Sequence, residues 1–128
     1  MPKPSPTQRT LAEMRKRGYT CEVVERWNPH ARVRKDLYGF IDVLCLGDGE
    51  VIGVQATSLS NVSARVRKIV EHENLIAVRE AGIIILVHGW NGTKLKEVDC
   101  SQRGVQRGCA EIIRIRHNDK MDSMENAK

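Results

Sequence analysis

The sequence predicts an α/β domain in which a mixed β-sheet is flanked by helices. Two short apolar runs separated by turn residues indicate a β-hairpin over 40–56. Five consecutive aliphatic residues at 83–87 indicate a strand that is covered on both faces. Between them, residues 62–81 have the apolar spacing of an amphipathic helix. Strands and helices in this order pack economically as a sheet with helices on its faces.

The length and charge are those of one domain with an anionic partner. A chain of 128 residues can bury a core without disulfides or a structural metal. We expect a single domain over 1–128, with its core at about 7–116 and a disordered polar tail at 117–128. The 21 Lys and Arg residues outnumber the 16 Asp and Glu residues, and the net charge of +5 favours a partner such as a phosphate backbone.

The sequence also predicts a cytoplasmic protein. The N-terminal residues do not resemble a signal peptide, and no apolar run approaches the roughly 18 residues that cross a bilayer. The cysteines lack CxxC spacing and fit small, buried, reduced thiols; they are Cys21, Cys45, Cys100 and Cys109.

The first helix is expected after the proline-rich residues 1–6. Thr7 is a suitable N-cap, and Leu11 and Met14 lie one turn apart on an apolar face. A basic last turn followed by Gly18 predicts the end of this helix.

Three strands are expected next. Residues 19–27 alternate in part and predict a strand, which leaves 30–35 as a basic loop. The runs 40–46 and 51–56 then form the hairpin, with its turn at 47–49.

The helical segment 62–81 predicts either one kinked helix or two short ones. Its apolar stripe includes Val62, Val66, Ile69 and Val70. We expect Leu75, Ile76 and Val78 to be buried as well, with Gly82 ending the segment.

The remaining elements are strands. The run 83–87 is expected to be central in the sheet, and Trp90, Asn91 and Gly92 predict a tight turn before a returning strand at 95–100. Residues 109–115 alternate like a last edge strand.

An acid within the hairpin is the first indication of a site. Asp42 lies inside an apolar run, and a buried carboxylate is costly unless a cation, a metal or hydrogen bonds compensate it. Gln55 lies on the second strand, and Asp36 precedes Asp42 by six residues. Taken singly, Asp42 is more simply a structural aspartate and Gln55 a core hydrogen-bonding group. Their convergence with nearby basic residues favours a functional site.

Two basic clusters are candidates for contacts with phosphates. They are Arg32, Arg34 and Lys35 before the hairpin, and Arg65, Arg67 and Lys68 after it. Such contacts set position and salt dependence rather than sequence preference. The alternative is that each cluster is only a solvated face.

The order of elements, the acid in FIDVL and the polar step in VIGVQAT resemble the PD-(D/E)xK nuclease superfamily. The resemblance covers about residues 7–89 and is greatest to small Holliday junction resolvase-like and phage-encoded members. It implies a restriction-endonuclease-like αβββαβ core and cleavage of DNA phosphodiester bonds with Mg²⁺ or Mn²⁺.

The resemblance assigns roles to individual residues. Asp42 matches the metal-binding aspartate of the family, and the E-x-K tripeptide falls on Gly53, Val54 and Gln55. Glycine therefore stands at the glutamate position and glutamine at the lysine position. Asp36 is the candidate for a second metal ligand.

A further acid on the first helix is used by some resolvase-like members. Glu13 is the candidate for that role here. Junction resolvases generally act as dimers, so the resemblance also raises a homodimer as an expectation.

Three functions remain open at this stage. The first is a Mg²⁺- or Mn²⁺-dependent DNA endonuclease, with branched DNA among its candidate substrates, Asp36 and Asp42 as metal ligands and Gln55 placing the attacking water. The second is a nuclease fold that has lost the motif glutamate and only binds nucleic acid or a protein partner. The third is a structural or regulatory protein without a nucleic-acid partner.

Overall fold

The computed structural model of the protein describes residues 3–101 and the backbone of 113–114. The helices are α1 (Pro6–Lys16), α2 (Val62–Val70) and α3 (Leu75–Glu80), with a 3-10 turn at Leu59–Asn61 before α2. The strands are β1 (Thr20–Val23), β2 (Arg26–Asn28), β3 (Val33–Lys35), β4 (Val43–Gly47), β5 (Glu50–Ser58), β6 (Ile84–Asn91), β7 (Lys94–Asp99) and β8 (Ile113–Arg114).

The main sheet is mixed. Its five principal strands have the order β1-β4-β5-β6-β7, and β8 adds a short pairing to β7. Only the β5–β6 pair is parallel among the strands that the structure describes. The chain passes from β5 to β6 through α2 and α3, the kind of crossover that a parallel pair requires. The predicted mixed sheet flanked by helices is confirmed.

Both faces of the sheet are covered. On one face, α1 packs Met14 against the strands in a cluster that includes Val43, Val54 and Leu86. On the other face, α2 and α3 form a second cluster; its members include Phe40, Ile41, Val62, Val66, Ile69, Leu75, Val78, Ile85 and Val87. Strand β6 contributes to both clusters, which confirms the prediction of a central strand covered on both faces.

The helices differ from expectation in their ends and in one buried position. Ser5, not Thr7, is the N-cap of α1: its hydroxyl accepts from the Gln8 N–H at 3.2 Å, and the Gln8 side chain accepts from the Ser5 N–H at 3.3 Å. The segment 62–81 forms two short helices. The predicted burial of Ile76 is wrong, because its side chain lies on the outer side of α3 and is 64% exposed.

The predicted single strand over 19–27 is wrong, because the chain leaves the main sheet after Val23. Strand β4 begins at Val43, which pairs with Val23, so the ladder between β1 and β4 ends there. Residues 26–28 pair instead as β2 with β3 in a separate two-stranded sheet. The predicted basic loop at 30–35 is therefore partly strand. We call residues 26–35 the β2–β3 ribbon.

The last part of the described chain refines the predicted turn. Strand β6 continues through Trp90 to Asn91, and the turn lies at Gly92 and Thr93, with a φ of 60° at Gly92. The predicted edge strand at 109–115 lies outside the described residues except for β8, and so does the predicted tail. Cys21, Cys45 and Cys100 are buried, as expected, while Cys109 lies outside the described residues. No helix within 3–101 has the length and apolarity of a membrane span.

Candidate functional site

Asp42 and Gln55 face each other at the start of the hairpin. Val43 pairs with Val54, so Asp42 stands level with Gln55 on the neighbouring strand. The Gln55 Nε2 group donates to Asp42 Oδ2 at 3.1 Å, and the Ala56 N–H donates to the same oxygen at 2.9 Å. Asp42 is 4% exposed and Gln55 is 2% exposed. Asp42 precedes β4, and its carboxyl group, rather than a backbone carbonyl, accepts the hydrogen bond from the Ala56 N–H.

Two more acids reach this point from the base of the β2–β3 ribbon. Glu25 directly precedes β2 and Asp36 directly follows β3. One carboxylate oxygen from each of Glu25, Asp36 and Asp42 lies within 4.8 Å of the other two. The Gln55 Nε2 group also donates to Asp36 Oδ2 at 3.1 Å. We call Glu25, Asp36 and Asp42 the acidic cluster.

The acidic cluster includes one residue that sequence reasoning missed. Nothing in the sequence pattern distinguishes Glu25 from Glu22, because both lie in the same partly alternating segment. Only the pairing of β2 with β3 brings Glu25 level with Asp36.

The protonation of Asp42 reflects its surroundings. Its pKa is raised to about 7, first by burial and then by the adjacent Asp36 carboxyl group, while the hydrogen bonds from Ala56 and Gln55 act in the opposite direction. A cation placed beside Asp42 would favour its ionised form. A metal ion at this position would therefore have to compete with a proton on Asp42.

Cationic side chains border the acidic cluster. Lys68 Nζ lies 3.5 Å from Asp36 Oδ2, and the Arg34 guanidinium lies 3.2 Å from Glu25 Oε1. The Lys68 and Arg34 side chains are 40% and 70% exposed, so these ion pairs contribute little to stability. Lys68 and Arg34 can therefore leave their acidic partners to bind another anion.

A cleft of about 670 Å³ opens over the acidic cluster. The N-terminal turn of α1 contributes to its wall through Ser5, Thr7 and Gln8, and α2 contributes Arg65 and Lys68. The acids that line it are mostly buried, whereas Arg34 and Lys68 are exposed. This distribution suits a ligand that carries both a metal ion and a phosphate.

Gln55 has an acceptor that no other group satisfies. Its Nε2 group must point to the two carboxyl groups to which it donates, which directs Oε1 away from them. Within the described part of the chain, Oε1 is buried and has no hydrogen-bond partner. Buried acceptors are rarely left in this state. The three carboxylates of the acidic cluster are hard oxygen donors of the kind that Mg²⁺ and Mn²⁺ prefer.

Gly53 lies away from this cluster. It pairs with Leu44 rather than with Asp42. A Cβ atom at position 53 would lie 2.5 Å from Ile41 Cδ1, so a side chain has no space there. The β5 residue that stands level with Asp42 is Gln55.

Glu13 is not brought into the acidic cluster. Its carboxylate pairs with Arg17 Nε at 2.8 Å, and Arg17 pairs in turn with Glu97 at 2.9 Å. Glu97 also contacts the buried His88 at 2.7 Å. These groups form a polar network between α1 and the sheet, on the face opposite to Gln55.

The predicted phosphate-contacting residues divide between several surfaces. Arg34, Arg65 and Lys68 line the cleft. Lys35 follows Arg34 and points to the other face of the β2–β3 ribbon, since side chains alternate along a strand. Arg32 lies in the turn of the ribbon with a φ of 55°, and Arg67 is exposed on α2.

The chain matches no family model, no curated protein and no solved structure. The resemblance to the PD-(D/E)xK superfamily therefore stays an expectation from the residues. The functional argument depends on the geometry of the acidic cluster and its cleft.

Proposed function

We propose that the protein is a Mg²⁺- or Mn²⁺-dependent hydrolase of phosphodiester bonds in nucleic acid. The observation that carries this proposal is the acidic cluster, whose three carboxylate oxygens lie within 4.8 Å of one another. The basic residues on the walls of the cleft would attract a phosphate backbone. The net charge of +5 acts in the same direction.

A bound metal ion would polarise a phosphoryl oxygen and lower the pKa of a coordinated water. Glu25, Asp36 and Asp42 would hold that ion. Gln55 keeps Asp36 and Asp42 in place through its Nε2 group and presents Oε1 as an acceptor for a water. Lys68 would neutralise charge that develops on the phosphate, because its ammonium group already lies next to the acidic cluster.

The restriction-endonuclease-like core belongs to the same proposal. The order α1, β1, β4, β5, α2 and β6 corresponds to αβββαβ once the β2–β3 ribbon is treated as an insertion between the first two strands. The antiparallel β1–β4–β5 set and the parallel β5–β6 pair fit that arrangement. Branched DNA is a candidate substrate, and a homodimer is a candidate assembly, only through this resemblance.

A second candidate function is nucleic-acid binding without cleavage. The observation in its favour is that an amide, not a carboxylate, stands level with Asp42 on β5. A site with one fewer negative charge binds a divalent cation more weakly. The two functions differ in one measurable property, which is metal-dependent cleavage.

A nicking assay tests the proposal. Supercoiled plasmid and four-way junction DNA are incubated with the protein and Mg²⁺ or Mn²⁺, and Asp42→Ala and Glu25→Gln are compared with Glu22→Gln. Glu22 is an exposed glutamate on β1 and serves as the matched control. We expect metal-dependent cleavage that is lost in Asp42→Ala, reduced in Glu25→Gln and kept in Glu22→Gln. Cleavage that survives Asp42→Ala would overturn the assignment, and DNA binding without cleavage would support the second function.

A further inference from the structure

The β2–β3 ribbon carries an exposed tryptophan on the side of the acidic cluster. Trp27 pairs with Arg34 across the ribbon. Side chains alternate along a strand, so Trp27 shares its face with Glu25, two residues before it, and Arg34 shares its face with Asp36. Glu25 and Asp36 meet in the acidic cluster. Trp27 and Arg34 therefore face the same side of the ribbon as the cluster.

The position of Trp27 suits contact with a neighbouring nucleotide. Two residues of a strand span about 7 Å, so Trp27 lies about that far along the ribbon from Glu25. Its side chain is 59% exposed although tryptophan is usually well buried. An exposed aromatic ring beside cationic groups is the composition of a platform on which nucleic-acid bases stack.

Hydrogen bonds hold the ribbon at its tip and at its base. At its tip, the Asn28 side chain accepts from the N–H groups of His30 and Ala31 at 3.0 and 3.2 Å. At its base, the Val24 N–H donates to the Asp42 carbonyl at 2.8 Å. A preformed surface loses less conformational entropy on binding. The base of the ribbon is therefore fixed to the same segment that carries the acidic cluster.

The charge of the ribbon complements a phosphate backbone. Residues 26–35 contain four basic residues and no acid: Arg26, Arg32, Arg34 and Lys35. On the face of Trp27, Arg34 lies opposite the indole and Arg32 lies in the turn at the tip, so a strand that passes over Trp27 would meet these two cations; Arg26 and Lys35 lie on the other face. This pattern favours nucleic acid over an acidic or apolar protein surface as the occupant.

From these relationships we infer that the ribbon selects nucleic acid with unpaired bases, and that Trp27 stacks on the base next to the phosphate held at the acidic cluster. The position of that phosphate rests on the proposed function. In a duplex, neighbouring bases cover both faces of each base, so an indole reaches a base face only where the base is unpaired or unstacked. The substrate class is single-stranded or frayed nucleic acid, including the unpaired part of a branched structure.

Binding is tested in the presence of a chelator, so that no cleavage occurs. Fluorescence anisotropy at low salt measures the affinity of the wild type, Trp27→Ala and Trp27→Phe for single-stranded DNA, single-stranded RNA and blunt duplex DNA. Ile76→Ala is the matched control, because Ile76 is an equally exposed apolar residue on α3. Thermal unfolding verifies that each variant is folded.

We expect Trp27→Ala to weaken binding to single strands by about 5- to 150-fold, the range for loss of one stacked base, and to change duplex binding by less than about twofold. Trp27→Phe should retain part of the affinity, since it keeps an aromatic ring. The DNA and RNA arms show which sugar the ribbon accepts.

Intrinsic fluorescence gives a second readout. Trp27 and Trp90 are the two tryptophans of the chain. Single-stranded oligonucleotides should quench the fluorescence of Trp90→Phe, in which Trp27 remains, and should leave that of Trp27→Phe nearly unchanged.

Unchanged single-strand affinity in folded Trp27→Ala would overturn this inference, and so would an equal loss of duplex affinity or the absence of wild-type binding at low salt. The proposed function has a separate readout, which is metal-dependent cleavage by the wild type and its loss in Asp42→Ala. If cleavage depends on Asp42 but Trp27→Ala does not change single-strand affinity, only the role of Trp27 is rejected and the proposed function stands. Selective single-strand binding through Trp27 without cleavage would support that role and reject the hydrolase.

Discussion

Gln55 donates a hydrogen bond to Asp42 from the adjacent strand, with 3.1 Å between Nε2 and Oδ2. The same Nε2 group donates to Asp36 at 3.1 Å. One amide group thus bridges two carboxyl groups that would otherwise repel each other. This bridge stabilises Asp36 and Asp42 close together, so a change at position 55 acts on both acids.

Gln55→Glu should make the fold depend on a divalent cation. The substitution removes both hydrogen bonds from Nε2 and adds a fourth carboxylate, so we expect the free energy of unfolding to fall by about 1–3 kcal/mol in the presence of a chelator. Mn²⁺ should then raise the melting temperature of Gln55→Glu by more than it raises that of the wild type, because more oxygen ligands are available. Differential scanning calorimetry with and without Mn²⁺ measures both effects. If Mn²⁺ does not change the melting temperature of Gln55→Glu, position 55 is not part of a metal site.

Asp42 should make the metal-free protein less stable as the pH rises. Its pKa in the folded state is about 7, against an ordinary value of 3.8, so between these values the folded state holds a proton that the unfolded state has released. The contribution of this group to stability is therefore greatest below about pH 4 and is lost as the pH rises through about 7.

Urea unfolding of the wild type and Asp42→Asn in a chelator measures this dependence. The Asn variant cannot ionise and keeps an oxygen that can accept from Ala56. We expect its stability relative to the wild type to increase between about pH 5 and pH 8, by at most about 1.4 kcal/mol per pH unit. A constant difference over this range would mean that the pKa of Asp42 is not raised.

A glutamate at position 53 should not create a second ligand. A Cβ atom there would meet Ile41 Cδ1 at 2.5 Å, so we expect Gly53→Ala and Gly53→Glu to destabilise the protein, Gly53→Ala by about 1–3 kcal/mol through overpacking. Ile41→Ala removes Cδ1, Cγ1 and Cγ2, the three atoms nearest to that Cβ, and should recover part of the loss in the double variant with Gly53→Ala. Urea unfolding of the four proteins of this double-mutant cycle gives the coupling energy. Simple additivity would show that Ile41 is not the obstacle.

The fold could be predicted wherever one pattern dominates. The aliphatic run in β6, the hairpin of β4 and β5 and the apolar stripe of α2 each have a single economical interpretation. The β2–β3 ribbon could not be predicted, since it depends on β4 starting at Val43, which ends the ladder with β1 at Val23. The burial of Ile76 was predicted wrongly because α3 does not continue the apolar stripe of α2. The buried positions of α3 are Leu75 and Val78, which leaves Ile76 on its outer side.

The site could be predicted in part for the same reason. Asp36, Asp42 and Gln55 lie close in sequence and were expected together, and the structure brings them together. Glu25 depends on the ribbon pairing, so its role was not visible. Glu13 lies one helical turn from Arg17, and that local ion pair draws it into the network on the other face of the sheet.

Manganese binding by the purified protein tests the central claim most directly. Isothermal titration calorimetry is carried out with the wild type, Asp42→Asn, Glu25→Gln and the control Glu22→Gln. We expect the wild type and Glu22→Gln to bind Mn²⁺ alike, Glu25→Gln to bind it more weakly, and Asp42→Asn to lose binding. Wild-type affinity should fall about tenfold from pH 8 to pH 6, because the ion must displace a proton. Equal Mn²⁺ binding by the wild type and Asp42→Asn, or no binding by the wild type at pH 8, would contradict the account.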